Sequence, residues 1–132
     1  MNALNNKTVL IADDDIDSLA QLSFQIEHMG MKVISAESQK EAEEIIESTK
    51  PDLAIFDLMM DNRDSGFILS YKLKKKYPDV PVIIVTAVTA DTGMIFGLET
   101  SEEKSWIKAD LYLEKGLRPE QLQMEIKKLL KL

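Results

Sequence analysis

The stretch VLIADDDID, residues 9–17, runs four apolar residues without alternation straight into four carboxylates. Val9, Leu10, Ile11 and Ala12 read as a strand buried on both faces, since a half-exposed strand would alternate apolar with polar. Asp13, Asp14 and Asp15 are consecutive, and Asp17 follows one residue later. Two like charges 4 Å apart repel by about 4 kcal/mol at an effective dielectric near 20. Either these aspartates are a solvated turn with a helix N-cap, which acidic residues fill well, or they hold a cation. The rest of the chain decides between the two.

The same strand pattern recurs. LAIFD (53–57) follows Pro51, and PVIIVTA (81–87) comes later, both apolar without alternation. KVISA (32–36) and DLYLE (110–114) are shorter or more polar. Helical periodicity fills the gaps. One segment, Asp17–Met29, turns Leu19, Leu22, Ile26 and Met29 to one side, with Gly30 as its C′ residue. Another opens with a capping box, Ser38 and Glu41, and lines up Ala42, Ile45, Ile46 and Thr49. A third starts near Gly66, turning Leu69, Leu73 and Tyr77 inward with Ser70 and leaving its lysines outside. Thr100 and Glu103 can open a short fourth helix through Ile107, and Pro119 suits the first turn of a fifth carrying Leu122, Ile126, Leu129 and Leu130. Five βα units predict an α/β fold: a flavodoxin-like three-layer sandwich whose five-stranded parallel sheet has the order 2-1-3-4-5, with five helices. The buried strands belong in the middle and the two polar ones at the edges.

At 132 residues the chain is expected to be a single domain, 1–132, able to bury roughly two-thirds of its unfolded surface. A formal charge of −7 argues against direct nucleic-acid binding and against anionic membranes, both of which need basic patches. With no cysteine, disulfides, thiolate zinc sites and cysteine nucleophiles are excluded. The opening MNALNNK lacks the apolar core of a signal peptide, so a soluble cytoplasmic protein is expected.

In this fold ligands gather where the strand order reverses, at the carboxyl ends. There the first strand ends on Asp13 and Asp14, the third on Asp57, the fourth on Thr86 and the fifth on Lys115. Scattered solvated turns would have no reason to converge so, and the cation reading is favoured. ADDD, FDLMM, VTAV and LEKG (12–15, 56–60, 85–88 and 113–116) occur in that order. The ordered set resembles the receiver domain of bacterial two-component response regulators over essentially the whole chain.

The resemblance implies that Asp57 accepts a phosphoryl group from a sensor histidine kinase or a phosphotransfer protein. It implies Mg²⁺ held by Asp13, Asp14, Asp57 and the backbone carbonyl of Met59, with Lys115 balancing phosphoryl charge and Thr86 donating a hydrogen bond. Tyr112, three residues before Lys115, stands at the switch-aromatic position. The surface of the fourth helix, fifth strand and fifth helix would then change, toward an unknown downstream effector or a phosphorylation-dependent homodimer. Turnover would be limited to the protein's own aspartyl phosphate. Met59 and Val88, apolar residues two beyond Asp57 and Thr86, cannot orient water, so self-dephosphorylation is expected to be slow.

The chain departs from the family at three places. Asp61 stands where proline is usual, and the connection after Thr86 is long. Gly116 follows Lys115 where a cis proline is common; a cis bond to a non-proline costs about 2.5–4 kcal/mol, so Lys115 is expected to reach the site by another backbone path. Two other readings stand beside the receiver: a Mg²⁺-dependent aspartate-nucleophile phosphatase of the haloacid dehalogenase type, through Asp13-x-Asp15, and a receiver-like interaction module that is never phosphorylated. A calcium loop from Asp13, Asp15 and Asp17 fails, because Ser18 and Phe24 stand where the turn glycine and bidentate glutamate belong.

Overall fold

In the computed structural model, which describes residues 4, 6–60, 64–86, 109–114 and 118–131, the apolar start of the chain forms β1 (Thr8–Ala12). There follow α1 (Ile16–His28), β2 (Lys32–Ala36), α2 (Gln39–Ser48), β3 (Leu53–Asp57), α3 (Ser65–Lys76), β4 (Val82–Thr86), β5 (Leu111–Glu114) and α4 (Pro119–Leu130). All neighbouring strands are parallel, in the order β2-β1-β3-β4-β5, as the patterning predicts. Four helices are described. The helix expected from Thr100 to Ile107 lies outside the described residues, as do Asp61, Val88, Lys115 and Gly116.

The unbroken apolar runs now have their reason. Successive strand residues point to opposite faces, so Val9 and Ile11 enter one core layer and Leu10 and Ala12 the other. The first layer joins Leu53, Ile55 and Ile83 to Leu19 and Ile26 of α1 and to Leu122 and Ile126 of α4. The second joins Phe56, Val82 and Ile84 to Ala42 and Ile46 of α2 and to Leu69 and Leu73 of α3. Each large apolar side chain so buried contributes roughly 1.5–3 kcal/mol. Among the described residues no helix is long and apolar enough to cross a membrane.

Helix ends follow the sequence with two corrections. Gly30 takes φ 96° just past α1, a left-handed conformation suited to a residue without Cβ. Ser38 caps α2 by accepting from the Glu41 N–H at 3.1 Å, but the Glu41 carboxylate reaches the N–H of Glu37, one residue before the cap, at 3.3 Å. On α3, Lys74 does not stand outside with its neighbours. Its side chain is only 15% exposed and its ammonium lies 2.8 Å from Asp110.

At the amino edge of the sheet one device appears twice. The Asp52 N–H donates to the Thr8 carbonyl while its carboxylate accepts from the Thr8 N–H, both at 2.8 Å. Asp110 does the same to Val82, again at 2.8 Å each way. These clasps satisfy the first N–H of β1 and of β4, fixing the register that levels the opposite, carboxyl edge. There Ala12 lies beside Phe56, Asp57 beside Val85, and Thr86 beside Glu114.

Candidate functional site at the carboxyl edge of the sheet

The three consecutive aspartates do three different things. Asp13 continues the alternation of β1 and is 4% exposed; its Oδ1 accepts the Asp15 N–H at 2.9 Å. Asp14 is exposed. Asp15 is the N-cap of α1, one carboxylate oxygen accepting from the Asp17 and Ser18 N–H groups at 3.0 and 3.4 Å and the other from the Ser18 hydroxyl at 3.2 Å. The cap reading therefore holds for Asp15, while Asp13 makes its turn bond from a buried position and not as a solvated turn. It also removes Asp15 from the Asp13-x-Asp15 pair that a phosphatase would use.

Asp57 closes β3 and is 7% exposed. Asp13, Asp14 and Asp57 each offer a carboxylate oxygen, all within 4.8 Å of one another. At that limit of 4.8 Å two unit charges repel by about 3.5 kcal/mol with an effective dielectric near 20. Octahedral Mg²⁺ with bonds of about 2.1 Å places its ligand oxygens about 3 Å apart when adjacent and about 4.2 Å when opposite. Of three ligands at most one pair can be opposite, so oxygens up to 4.8 Å apart would draw in by up to about 1.8 Å, and the donor set itself is all hard oxygen. The residues therefore suit Mg²⁺.

Thr86 ends β4, next to β3, and is 2% exposed. Met59, two residues past Asp57, is 40% exposed. Tyr112 of β5 lies on the α2/α3 side, half-buried, its ring edge-on to Phe67 of α3 with centroids 6.3 Å apart. Burial pushes its phenol above the ordinary tyrosine range. Lys115 falls outside the described residues, one position after Glu114.

Two features at the site were not read from the sequence. A cavity of about 80 Å³ opens beside Asp13 and Asp57, walled by Ser18, Gln21, Leu22 and Gln25 of α1 and by Leu113 and Leu122. On α1 its sequence trace is the polar set Ser18, Gln21 and Gln25 beside Leu22. The second feature is the seat of α3. The Gly66 N–H donates to the Leu58 carbonyl at 2.8 Å, and a Cβ on Gly66 would lie 2.8 Å from Leu58 Cα and 2.9 Å from the Asp57 carbonyl oxygen. Only glycine lets the helix rest on the peptide that carries Asp57. Its signal was the small Ser65–Gly66 pair opening an otherwise bulky helix.

The response regulator receiver domain family model matches residues 9–127. The chain is 31% identical over 128 residues to a probable transcriptional regulator, ycf27, of Cyanophora paradoxa, covering 97% of this chain and 50% of that protein. It is 32% identical over 127 residues to the phosphate regulon transcriptional regulatory protein PhoB of Pseudomonas aeruginosa, covering 95% and 52%. The chain thus spans about half the length of the curated relatives it matches. Among solved structures it superimposes on a CheY-like response regulator receiver domain protein from Methanospirillum hungatei with a TM-score of 0.79 at 28% identity, covering 96% of this chain and 95% of that one. A two-component response regulator from Clostridium difficile gives 0.77 at 27%, covering 96% and 97%. Sheet order, acidic rim and family match agree: the chain belongs to the response regulator receiver domain family.

Proposed function

We propose that Asp57 is a phosphoacceptor supplied by a phosphohistidine on a sensor histidine kinase or a phosphotransfer protein. The observation that carries this reading is the meeting of Asp13, Asp14 and Asp57 at the sheet's carboxyl edge. An Asp57 carboxylate oxygen forms the new bond to phosphorus as the phosphorus–nitrogen bond breaks, and the imidazole leaves with the electron pair. Asp13, Asp14, Asp57 and the Met59 carbonyl would hold Mg²⁺, whose charge would let the clustered carboxylates stay ionised beside an anionic phosphoryl group. Thr86 donates its hydroxyl to a phosphoryl oxygen and Lys115 balances charge. Such catalysis is positioning and electrostatics. Movement of Thr86 toward the phosphoryl group would free space for Tyr112 and so alter the surface around β5 and α4, through which an effector or a second copy of the chain is engaged.

The test is phosphorylation by a small acyl phosphate with Mg²⁺, read by intact mass for the wild type and Asp57→Asn. One added phosphoryl group on the wild type alone supports the proposal, and its decay with Mg²⁺ present measures the slow self-dephosphorylation expected from Met59 and Val88. Steady hydrolysis of unrelated phosphate esters with no lasting adduct would instead mark a phosphatase. A wild type left unmodified would mark an interaction module.

A further inference from the structure

We infer that Gln39, on α2 and outside the acidic rim, is a positioning residue for the phosphoacceptor segment. The inference rests on the phosphoacceptor reading and deepens it. Gln39 opens α2, and its Oε1 accepts the hydroxyl of Ser65 at 2.8 Å. Ser65 is fully buried and begins α3. Its neighbour Gly66 donates its N–H to the Leu58 carbonyl at 2.8 Å, with the Asp57–Leu58 peptide pressed against it. Ser70, also buried, donates its hydroxyl to the Gly66 carbonyl at 2.8 Å, tying this turn to the next.

From its other end Gln39 donates through Nε2 to Glu43 at 2.9 Å, and Glu43 pairs with Lys72 of α3 at 3.0 Å. The Gln39 amide is thus fixed in orientation by a bond on each side, and it fixes Ser65 in turn. The N-cap of α3, Asp64, makes no side-chain cap bond, so the ordinary device for anchoring a helix start is missing here. The start of α3 is held instead from α2 and from the Leu58 carbonyl. Asp57 and Met59, whose carbonyl joins the proposed metal set, flank Leu58 in the chain. A shift of Ser65–Gly66 therefore moves two groups of the proposed metal set at once, while Asp13 and Asp14, carried by β1, stay where they are.

The experiment is Mg²⁺ titration of the unphosphorylated chain by calorimetry, with melting temperatures taken separately in chelator, for wild type, Gln39→Ala, Ser65→Ala, the double variant and Lys72→Ala. Loss of a group bonded directly to a ligand typically weakens a metal site by 10–100-fold; Gln39 and Ser65 act farther out, through Gly66 and Leu58, so a smaller loss of about fivefold is expected for Gln39→Ala and for Ser65→Ala. The double variant should be no weaker than either single one, because both remove the same bond. Lys72→Ala, at the exposed end of the relay, should stay within about twofold of wild type. Lowered melting temperatures with Mg²⁺ affinity unchanged in Gln39→Ala would overturn the inference, reducing Gln39 to a helix-packing residue. Additive losses in the double variant would also overturn it. Should Ser65→Ala fail to fold, Gln39→Ala alone decides. Failure of the phosphoacceptor reading is seen separately, as a wild type that binds Mg²⁺ but takes no phosphoryl group.

Discussion

Replacing Gly66 with alanine sets two effects of opposite sign against each other. Alanine in a helix is favoured over glycine by about 0.8–1.0 kcal/mol in the interior, and by less in a first turn such as this one. Against that, the new methyl would sit 2.8 Å from Leu58 Cα and 2.9 Å from the Asp57 carbonyl oxygen, both backbone atoms of a central strand's exit. Relief requires α3 to lift by about half an ångström or more, and overpacking of this kind costs about 1–3 kcal/mol. Lifting also stretches the 2.8 Å bond from the Gly66 N–H to the Leu58 carbonyl, exposing a buried pair to a further cost of order 1 kcal/mol. The net expectation for Gly66→Ala is a loss of about 2 kcal/mol. With a urea slope of about 1–3 kcal/mol per molar, the unfolding midpoint should fall by roughly 1 M. Phosphorylation from a small acyl phosphate should slow in parallel, because the displaced atoms belong to Asp57 itself. A midpoint equal to or above wild type would mean that helix propensity wins and that the close approach of α3 to Asp57 is not constraining.

Asp110→Ala removes a clasp on the Val82 N–H and the partner of Lys74 together, so stability should fall by about 2 kcal/mol by urea unfolding; Asp110→Asn, which keeps an acceptor, should lose less. Asp14→Asn relieves repulsion in the acidic cluster, so the metal-free variant should melt above the wild type, yet it should lose most of the stabilisation by Mg²⁺, which for a site at a hundredfold excess over Kd is about 2.7 kcal/mol. Burial raises the Tyr112 phenol, so the folded chain keeps that proton to higher pH than the unfolded one. Its contribution is intact below the ordinary tyrosine range and is lost as pH rises through the folded value; Tyr112→Phe should flatten that alkaline decline in urea midpoints.

The strands were legible because burial on both faces leaves its mark on every residue: β2 and β3 fall on the residues expected, and β1, β4 and β5 differ only at their ends. The acidic triad was legible for a related reason. A charged residue directly after an apolar strand must stand at the sheet's edge, and strand order then brings Asp13, Asp14 and Asp57 together. The clasps of Asp52 and Asp110 were not, although both precede a strand in the same way, as Asp-Leu. An aspartate before a strand reads equally well as a solvated turn, and only register shows that its carboxylate faces a neighbouring N–H. Lys74 was misplaced because periodicity assigns a face to Cα and does not see a long stem lying along apolar surface to reach Asp110. The Gln39–Ser65 bond joins residues 26 apart and leaves no local pattern at all.

The run of aspartates shows how one residue type is given different chemistry by backbone alone. Asp13 still obeys the two-residue period of β1 and so is drawn into the buried side of the sheet. Asp15 has left the strand for the extended geometry of an N-cap, φ −88° and ψ 109°, where its charge is stabilised by the N–H groups of α1. Asp14, between them, remains exposed to solvent. Only Asp15 is thus taken up by the helix start, while Asp13 and Asp14 keep carboxylate oxygens within 4.8 Å of each other. Three carboxylates meet where Asp57 arrives from β3, and such a gathering of hard oxygen on one rim suits a small divalent cation.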